Sequence, residues 1–150
     1  FYLAPHHYHR IHMPFTGTLK SMTFIPGMLH SVNPETVKKI PGLFNQNERI
    51  VCEFKTTFGP MVLVFVGATL VGSMSTAWAG KVKSKKIKTF EYHDQNIIYH
   101  KGDEIGSFHF GSTVILLMHN EAIELQENIH AGLETQMGQM IADVNSNHSE

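Results

Sequence analysis

Gly111-Ser112, set in Phe110-Gly111-Ser112-Thr113, places a hydroxyl nucleophile directly after the residue with the least steric cover. With a histidine to take its proton, Ser112 can attack the Gly111 carbonyl and cut the chain's own backbone. Histidines stand far upstream in Tyr8-His9-Arg10-Ile11-His12-Met13-Pro14, so the fold must bring the two segments together. The tripeptide alone is also ordinary turn composition, which makes a strand-edge serine the plainer account of Ser112.

His6, His7, His9 and His12 admit three readings. They can share a zinc ion, act as surface or hydrogen-bonded core side chains, or supply two proton-transfer groups to Ser112. Pro5 and Pro14 bracket the segment, and no carboxylate or cysteine lies beside it. Those features count against metal, and no metal is expected.

The elements that position these residues follow from pattern. Short stretches with two-residue alternation recur between glycine, proline and asparagine breaks, which predicts a mainly β chain with little helix, a small barrel or sandwich. Ile50, Cys52 and Phe54 alternate with Val51, Glu53 and Lys55; Met61 to Val66 reads as a buried strand, with Gly59-Pro60 as the turn between. Other predicted strands are Thr18 to Ile25, Thr89 to Tyr92, Ile97 to Tyr99, Ser107 to Phe110 and Thr113 to Met118. Asn33-Pro34 is a cap followed by a first-turn proline, so Glu35 to Lys39 is expected to form one helical turn. Ala122 to Leu133 fits either period, and Gly132 counts against a long helix. Gly67, Gly72, Gly80, Gly102, Gly106 and Gly138 mark bends or close strand contacts. Gly67 to Ser73 and Lys101 to Ser107 look alike, without establishing a repeat.

Composition sets the bounds. The chain has 150 residues, 42% of them hydrophobic, and a formal net charge of -1, which fits one globular domain with no global pull toward nucleic acid. Eleven histidines make that charge sensitive to mild acid. Cys52 is alone, so no internal disulfide forms, and it is expected as a small buried side chain. Phe1 to Pro5 resembles no targeting segment and the chain lacks an initiator methionine, so a fragment is expected. Met61 to Val71 is too short for a span, which needs about 20 apolar residues. The tail 145–150 is polar and expected to fray.

Pro5-His6-His7-Tyr8-His9-Arg10-Ile11-His12-Met13-Pro14, Ser31-Val32-Asn33, Asn47-Glu48-Arg49, Phe58-Gly59-Pro60-Met61, Val66-Gly67-Ala68, Val71-Gly72-Ser73, Trp78-Ala79-Gly80 and Phe110-Gly111-Ser112-Thr113 are present in that order. Together they resemble the phosphatidylserine decarboxylase proenzyme family, from about Phe1 to Ala142. Phe110 stands where the family usually has leucine, and Val82 to Tyr99 is shorter than in some relatives. Family members carry a long preceding portion with membrane-docking elements and a catalytic aspartate.

The resemblance implies one catalytic domain fragment over 1–150, cleaved between Gly111 and Ser112 into a β-chain part (1–111) and an α chain (112–150). Ser112 would attack the Gly111 carbonyl, and elimination with loss of ammonia would leave a covalent pyruvoyl group, the pyruvate cofactor. His12 matches the family's base for that step, oriented by the aspartate, in the logic of a serine protease triad. Asp103 and Glu104, the acids nearest Ser112 in sequence, are poor substitutes for that partner. His9 matches the histidine of the decarboxylation step, in which the pyruvoyl carbonyl forms a Schiff base with phosphatidylserine, carbon dioxide leaves and phosphatidylethanolamine is released. Tyr8 and Arg10 stay outside the catalytic set. Implied partners are the lipid substrate, a membrane surface contacted peripherally on the cytoplasmic face of the cell membrane, and the chain's own cleaved halves as a heterodimer, with higher oligomers open; no nucleic acid is implied.

Lys81, Lys83, Lys85, Lys86 and Lys88 concentrate charge that would suit an anionic lipid surface, although such a run is more often a solvated loop or a protected edge strand. The competing class is a non-enzymatic barrel-sandwich carrier or phosphotransfer module. A carrier needs one modifiable lysine at a hairpin tip flanked by methionines, which this cluster lacks. A phosphotransfer module would use one of His6 to His12 and leave the chain uncut.

Overall fold

The computed structural model describes residues 1–69, 74–108, 111–119 and 123–145. Their order is β1 (Tyr2–Leu3), β2 (Arg10–His12), β3 (Gly17–Ile25), α1 (Pro34–Lys39), α2 (Leu43–Gln46), β4 (Arg49–Thr56), β5 (Gly59–Val66), β6 (Met74–Thr76), β7 (Gly80–Val82), β8 (Lys88–Glu91), β9 (Ile98–Tyr99), β10 (Glu104–Phe108), β11 (Ser112–Met118), β12 (Ile123–Leu125) and β13 (Ala142–Val144). One sheet runs β1-β11-β5-β4-β3-β8, with β9 sharing the β3 edge, and the other runs β2-β10-β6-β7. All of these pairs are antiparallel. β12 and β13 form a separate ribbon. Neither large sheet closes on itself, so among the described residues the mainly β fold takes the sandwich form and not the barrel form.

Alternation decides which side chains meet between the sheets. Ile50, Cys52 and Phe54 of β4 and Met61, Leu63 and Phe65 of β5 are buried, and the residues between them are more exposed. Along β3 the register shifts between Leu19 and Ser21; this bulge resets the parity, so that Leu19 and Met22, three residues apart, are both fully buried. The two sheets meet through Phe65 and Phe108, with ring centroids 5.9 Å apart, and through Phe54 and Trp78, at 6.0 Å. The thioether of Met22 accepts from Trp78 Nε1 at 3.3 Å, giving the indole its polar partner inside the core. Burial of Cys52 pushes its thiol well above the ordinary range, which fits an inert core side chain.

Asn33 caps α1 by accepting from the Thr36 amide at 2.8 Å, with Pro34 in the first turn as the sequence predicts. Buried Asn47 acts as a surrogate backbone. Its amide nitrogen donates to the carbonyls of His30 and Gly67, both at 2.8 Å, and its oxygen accepts from the His30 amide at 3.1 Å. That set ties the segment after β3 to the end of β5.

Several expectations are corrected. The turn between β4 and β5 is Thr57-Phe58, stabilised by the Thr56 hydroxyl, and Gly59 (φ 97°) and Pro60 already belong to β5. Ala122 to Leu133, which the sequence left open between the two periods, is described from Ile123 onward and forms strand β12 and turns, with no helix among its described residues. β10 begins at Glu104, three residues before the predicted start. Gly72, most of the first of the two similar segments, His109 and Phe110 at the end of the predicted strand Ser107 to Phe110, the end of the apolar run at Val71, and all of the tail but Asn145 lie outside the described residues.

Candidate functional site

Ser112 opens β11, which lies between β1 and β5; Leu3 is its register partner on one side, and Thr113 pairs with Tyr2 and Val66. Enclosed by both neighbours, Ser112 has no exposure, and its hydroxyl is buried with no hydrogen-bond partner. The hydroxyl of Thr113 is in the same condition. Gly111 packs closely on the upstream segment. A methyl group in place of its hydrogen would lie 3.3 Å from the Leu3 carbonyl oxygen and 3.4 Å from Pro5 Cδ, so a side chain there would press on the upstream segment.

Pro5 also organises His9. The Pro5 carbonyl can only accept, so the 3.2 Å contact to His9 Nε2 fixes the proton there and leaves Nδ1 with a lone pair. That Nδ1 is buried and has no partner. The His9 carbonyl accepts from the Phe108 amide at 3.0 Å, which extends the β2–β10 pairing and anchors His9 beside the strand that leads toward Gly111. Thus Gly111 and His9 meet around one proline from opposite ends of the chain.

His12 sits on β2 opposite Glu104, and both of its nitrogens are engaged. Nδ1 donates to the Gly102 carbonyl at 2.7 Å, so Nε2 is the acceptor and receives the Tyr8 hydroxyl at 2.7 Å. The two rings stack with centroids 5.7 Å apart and a 21° angle between planes. Gly102 therefore orients His12 in the manner of a carboxylate partner, and Tyr8 occupies the nitrogen that would receive a proton. The structure brings His9 and Gly111, the residue before Ser112, to Pro5; it does not join His12 to Ser112 by a hydrogen bond.

Other residues singled out from the sequence have separate work. His7 Nδ1 accepts from the Ala4 amide at 3.1 Å and closes the turn before His9, with the His6 ring edge-on to it at 4.5 Å. Arg10 Nη1 donates to both carboxylate oxygens of Glu104, at 2.8 and 2.6 Å, and Glu104 raises the Arg10 pKa by hydrogen bond and charge. Asp103 accepts from the His100 amide at 2.7 Å. Both acids are thus committed away from Ser112. Among the described residues no three His, Cys, Asp or Glu side chains gather in a metal-binding arrangement. Sequence reasoning missed the Gly102 carbonyl, because a backbone acceptor leaves no mark on residue type, and it left Tyr8 outside the set although the four-residue spacing from His12 was available as a signal.

The sequence model of the phosphatidylserine decarboxylase family matches residues 1–143. This chain belongs to that family. It is 46% identical over 149 residues to the phosphatidylserine decarboxylase proenzyme of Actinobacillus pleuropneumoniae serotype 3, covering 95% of this chain and 50% of the relative. The corresponding proenzyme of Psychromonas ingrahamii is 49% identical over 144 residues, with 94% and 50% covered, and that of Shewanella putrefaciens 48% over 152 residues, with 97% and 53% covered. The chain spans about half the length of these curated relatives.

Proposed function

We propose that this chain carries the self-processing and decarboxylating centre of a phosphatidylserine decarboxylase, cleaved between Gly111 and Ser112 and acting at a membrane surface, on the cytoplasmic face of the cell membrane. One observation carries the reading. Among the described residues, the buried side-chain polar atoms with no partner are His9 Nδ1, Ser112 Oγ and Thr113 Oγ1. An unpaired buried polar atom costs about 1–3 kcal/mol, and such a cost concentrated at one place marks groups held for chemistry.

In processing, a base takes the Ser112 proton, Oγ bonds to the Gly111 carbonyl carbon, and the peptide C–N bond breaks with the proton passing to nitrogen. Elimination of the Gly111 carboxylate and hydrolytic loss of ammonia complete the conversion at position 112. His12 Nε2 is the assigned base; it must exchange the Tyr8 hydroxyl for Ser112 Oγ, and Gly102 holds its tautomer in place meanwhile. The residues fit a pyruvoyl group at 112, since the precursor hydroxyl is buried, unpaired and preceded by a glycine packed on Pro5. When bound there, that group supplies an electron sink for the pair released as carbon dioxide leaves. His9, with its Nε2 proton fixed by Pro5, presents Nδ1 to hold and deliver a proton to the substrate carbon. The cleaved chains 1–111 and 112–150 would remain a heterodimer.

Intact mass and peptide mapping of the full-length gene product test this directly. The expected result is a cut after Gly111 and a new terminus lighter than serine by ammonia. Ser112→Ala should abolish cleavage and activity, His12→Ala should block cleavage, and His9→Ala should cleave normally yet lack decarboxylation. Normal turnover by the His9→Ala protein would refute its role.

A further inference from the structure

The lysine run and the candidate site lie on one rim of the sandwich. Across the larger sheet, Thr113 is in register with Val66, Val66 with Arg49, and Arg49 with Ile25, whose neighbour Phe24 faces Lys88. Across the smaller sheet, Phe108 is bonded to His9 and in register with Met74, which faces Val82. Both rows therefore start at the candidate site and end at the β7–β8 loop, 83–87, which joins the outer strands of the two sheets. At a strand spacing of about 4.8 Å, the loop is roughly 15–20 Å from Ser112 and His9.

That rim is basic and also apolar. Lys83, Lys85, Lys86 and Lys88 are exposed, and none of the run forms an ion pair among the described residues. Burial raises the pKa of the Glu48 carboxyl, and Lys83 of the run partly offsets that rise. Ser84 fixes the loop, donating to the Lys86 carbonyl at 2.7 Å and accepting from the Lys86 amide at 3.1 Å. A cavity of about 150 Å³ opens at its base, lined by Lys81, Lys83, Ser84 and Lys88 with Phe24 and Phe90. Lys88 Nζ stands 4.6 Å from the centre of the Phe90 ring. Ile87 at the tip is 67% exposed, and Met28, bridged to Asn47 at the same rim, is 58% exposed.

We propose that this rim docks on an anionic phospholipid bilayer, with Lys83, Lys85, Lys86 and Lys88 meeting headgroup phosphates and Ile87 and Met28 entering the interface. Lysines beside exposed apolar tips are the arrangement that binds such a surface, combining charge attraction with shallow burial. The inference rests on the proposed function for its orientation, because a bilayer along this rim lies against the site that would take a lipid.

The test is flotation of the full-length gene product with phosphatidylcholine vesicles, with and without phosphatidylglycerol, a lipid that is not the proposed substrate. Anionic vesicles should bind more tightly, the preference should fade with added salt, and Lys85→Gln/Lys86→Gln should weaken partition by about 25-fold, about fivefold per lysine. The same variant should keep its activity on substrate dispersed in neutral detergent micelles. Unchanged partition in the variant, equal binding to both vesicle types, or lysine-dependent binding to single-stranded RNA without vesicle binding would overturn the proposal. Decarboxylation without lysine-dependent partition leaves the proposed function standing alone. Lysine-dependent partition in a protein that neither cleaves nor decarboxylates upholds the docking surface and overturns the function instead.

Discussion

Removing the proposed nucleophile should make the protein more stable. Ser112 is fully buried and its hydroxyl has no partner, so Ser112→Ala breaks no hydrogen bond. It relieves a desolvation cost of about 1–3 kcal/mol. The lost oxygen leaves a void of roughly 10 Å³, which at about 24 cal/mol per Å³ costs about 0.2 kcal/mol. A net gain of about 1–3 kcal/mol follows, a shift of about 0.5–1.5 M in a urea midpoint at a slope of about 2 kcal/mol/M. Because the proposed function has the parent protein process itself, the comparison belongs in a His12→Ala background, with and without Ser112→Ala, followed by urea unfolding. Thr113→Val in the same background is the control: it removes the neighbouring orphan hydroxyl at nearly constant shape and should also stabilise. A loss of about 1 kcal/mol or more for Ser112→Ala would mean that the hydroxyl is satisfied in the resting proenzyme. The energetic case for a poised nucleophile would then fail.

Three further outcomes are expected. Gly106→Ala should destabilise by about 1–3 kcal/mol in denaturant melts and slow cleavage, because its methyl would lie 2.7 Å from the Ser75 carbonyl oxygen and 2.9 Å from Phe65 Cε2, on the strand that leads to Gly111. Tyr8→Phe should speed cleavage about five- to tenfold in a gel time course, by freeing His12 Nε2 from one hydrogen bond of about 1 kcal/mol; slower cleavage would assign Tyr8 to orienting the ring. Glu48→Gln should stabilise at pH 7 and make no difference below the ordinary carboxylate range. The folded carboxyl titrates above its unfolded value, so the unfolded state binds fewer protons, and stability is lost as pH rises from the unfolded toward the folded pKa. Partial exposure keeps that gain under about 1 kcal/mol, and a loss at pH 7 would mean that Lys83 outweighs burial.

The sequence revealed what residue type and period encode. A long alternating strand such as β4 was legible because one face is buried and the other is not, and α1 because Asn33-Pro34 is a local signal. β2, β6 and β7 were not, being three residues long and held by pairing with β10 and with each other. α2 was missed because its first turn follows Gly42 in a left-handed conformation, with no side-chain cap. At the site, Ser112, Gly111 and His9 were named from type and order, and their convergence on Pro5 came only with the fold. Gly102, whose carbonyl sets the His12 tautomer, was read as a bend marker. The identity of a glycine says nothing of where its carbonyl oxygen points.

The position of the proposed cut explains how a chain could sever itself and remain one enzyme. β11 is an interior strand, so a break before Ser112 leaves Tyr2 and Leu3 paired on one side and an unbroken register from Thr113–Val66 to Met118–Met61 on the other. Each retained backbone hydrogen bond is worth about 0.5–1.5 kcal/mol net, and Val114 remains buried in the common core. The new terminus at 112 is therefore clamped between two strands, which keeps a reacting group fixed relative to His9 and avoids the entropic cost of ordering it in each turnover. What the cut removes is the covalent link in the unfolded state, so refolding becomes a meeting of two chains. The fragment 112–150 should accordingly co-elute with 1–111 on size exclusion in native buffer and part from it only in denaturant. Separation under native conditions would contradict an interior β11, and dilution after denaturation should prevent recovery in the cleaved protein but not in the Ser112→Ala protein, where one chain still carries both halves of the ladder.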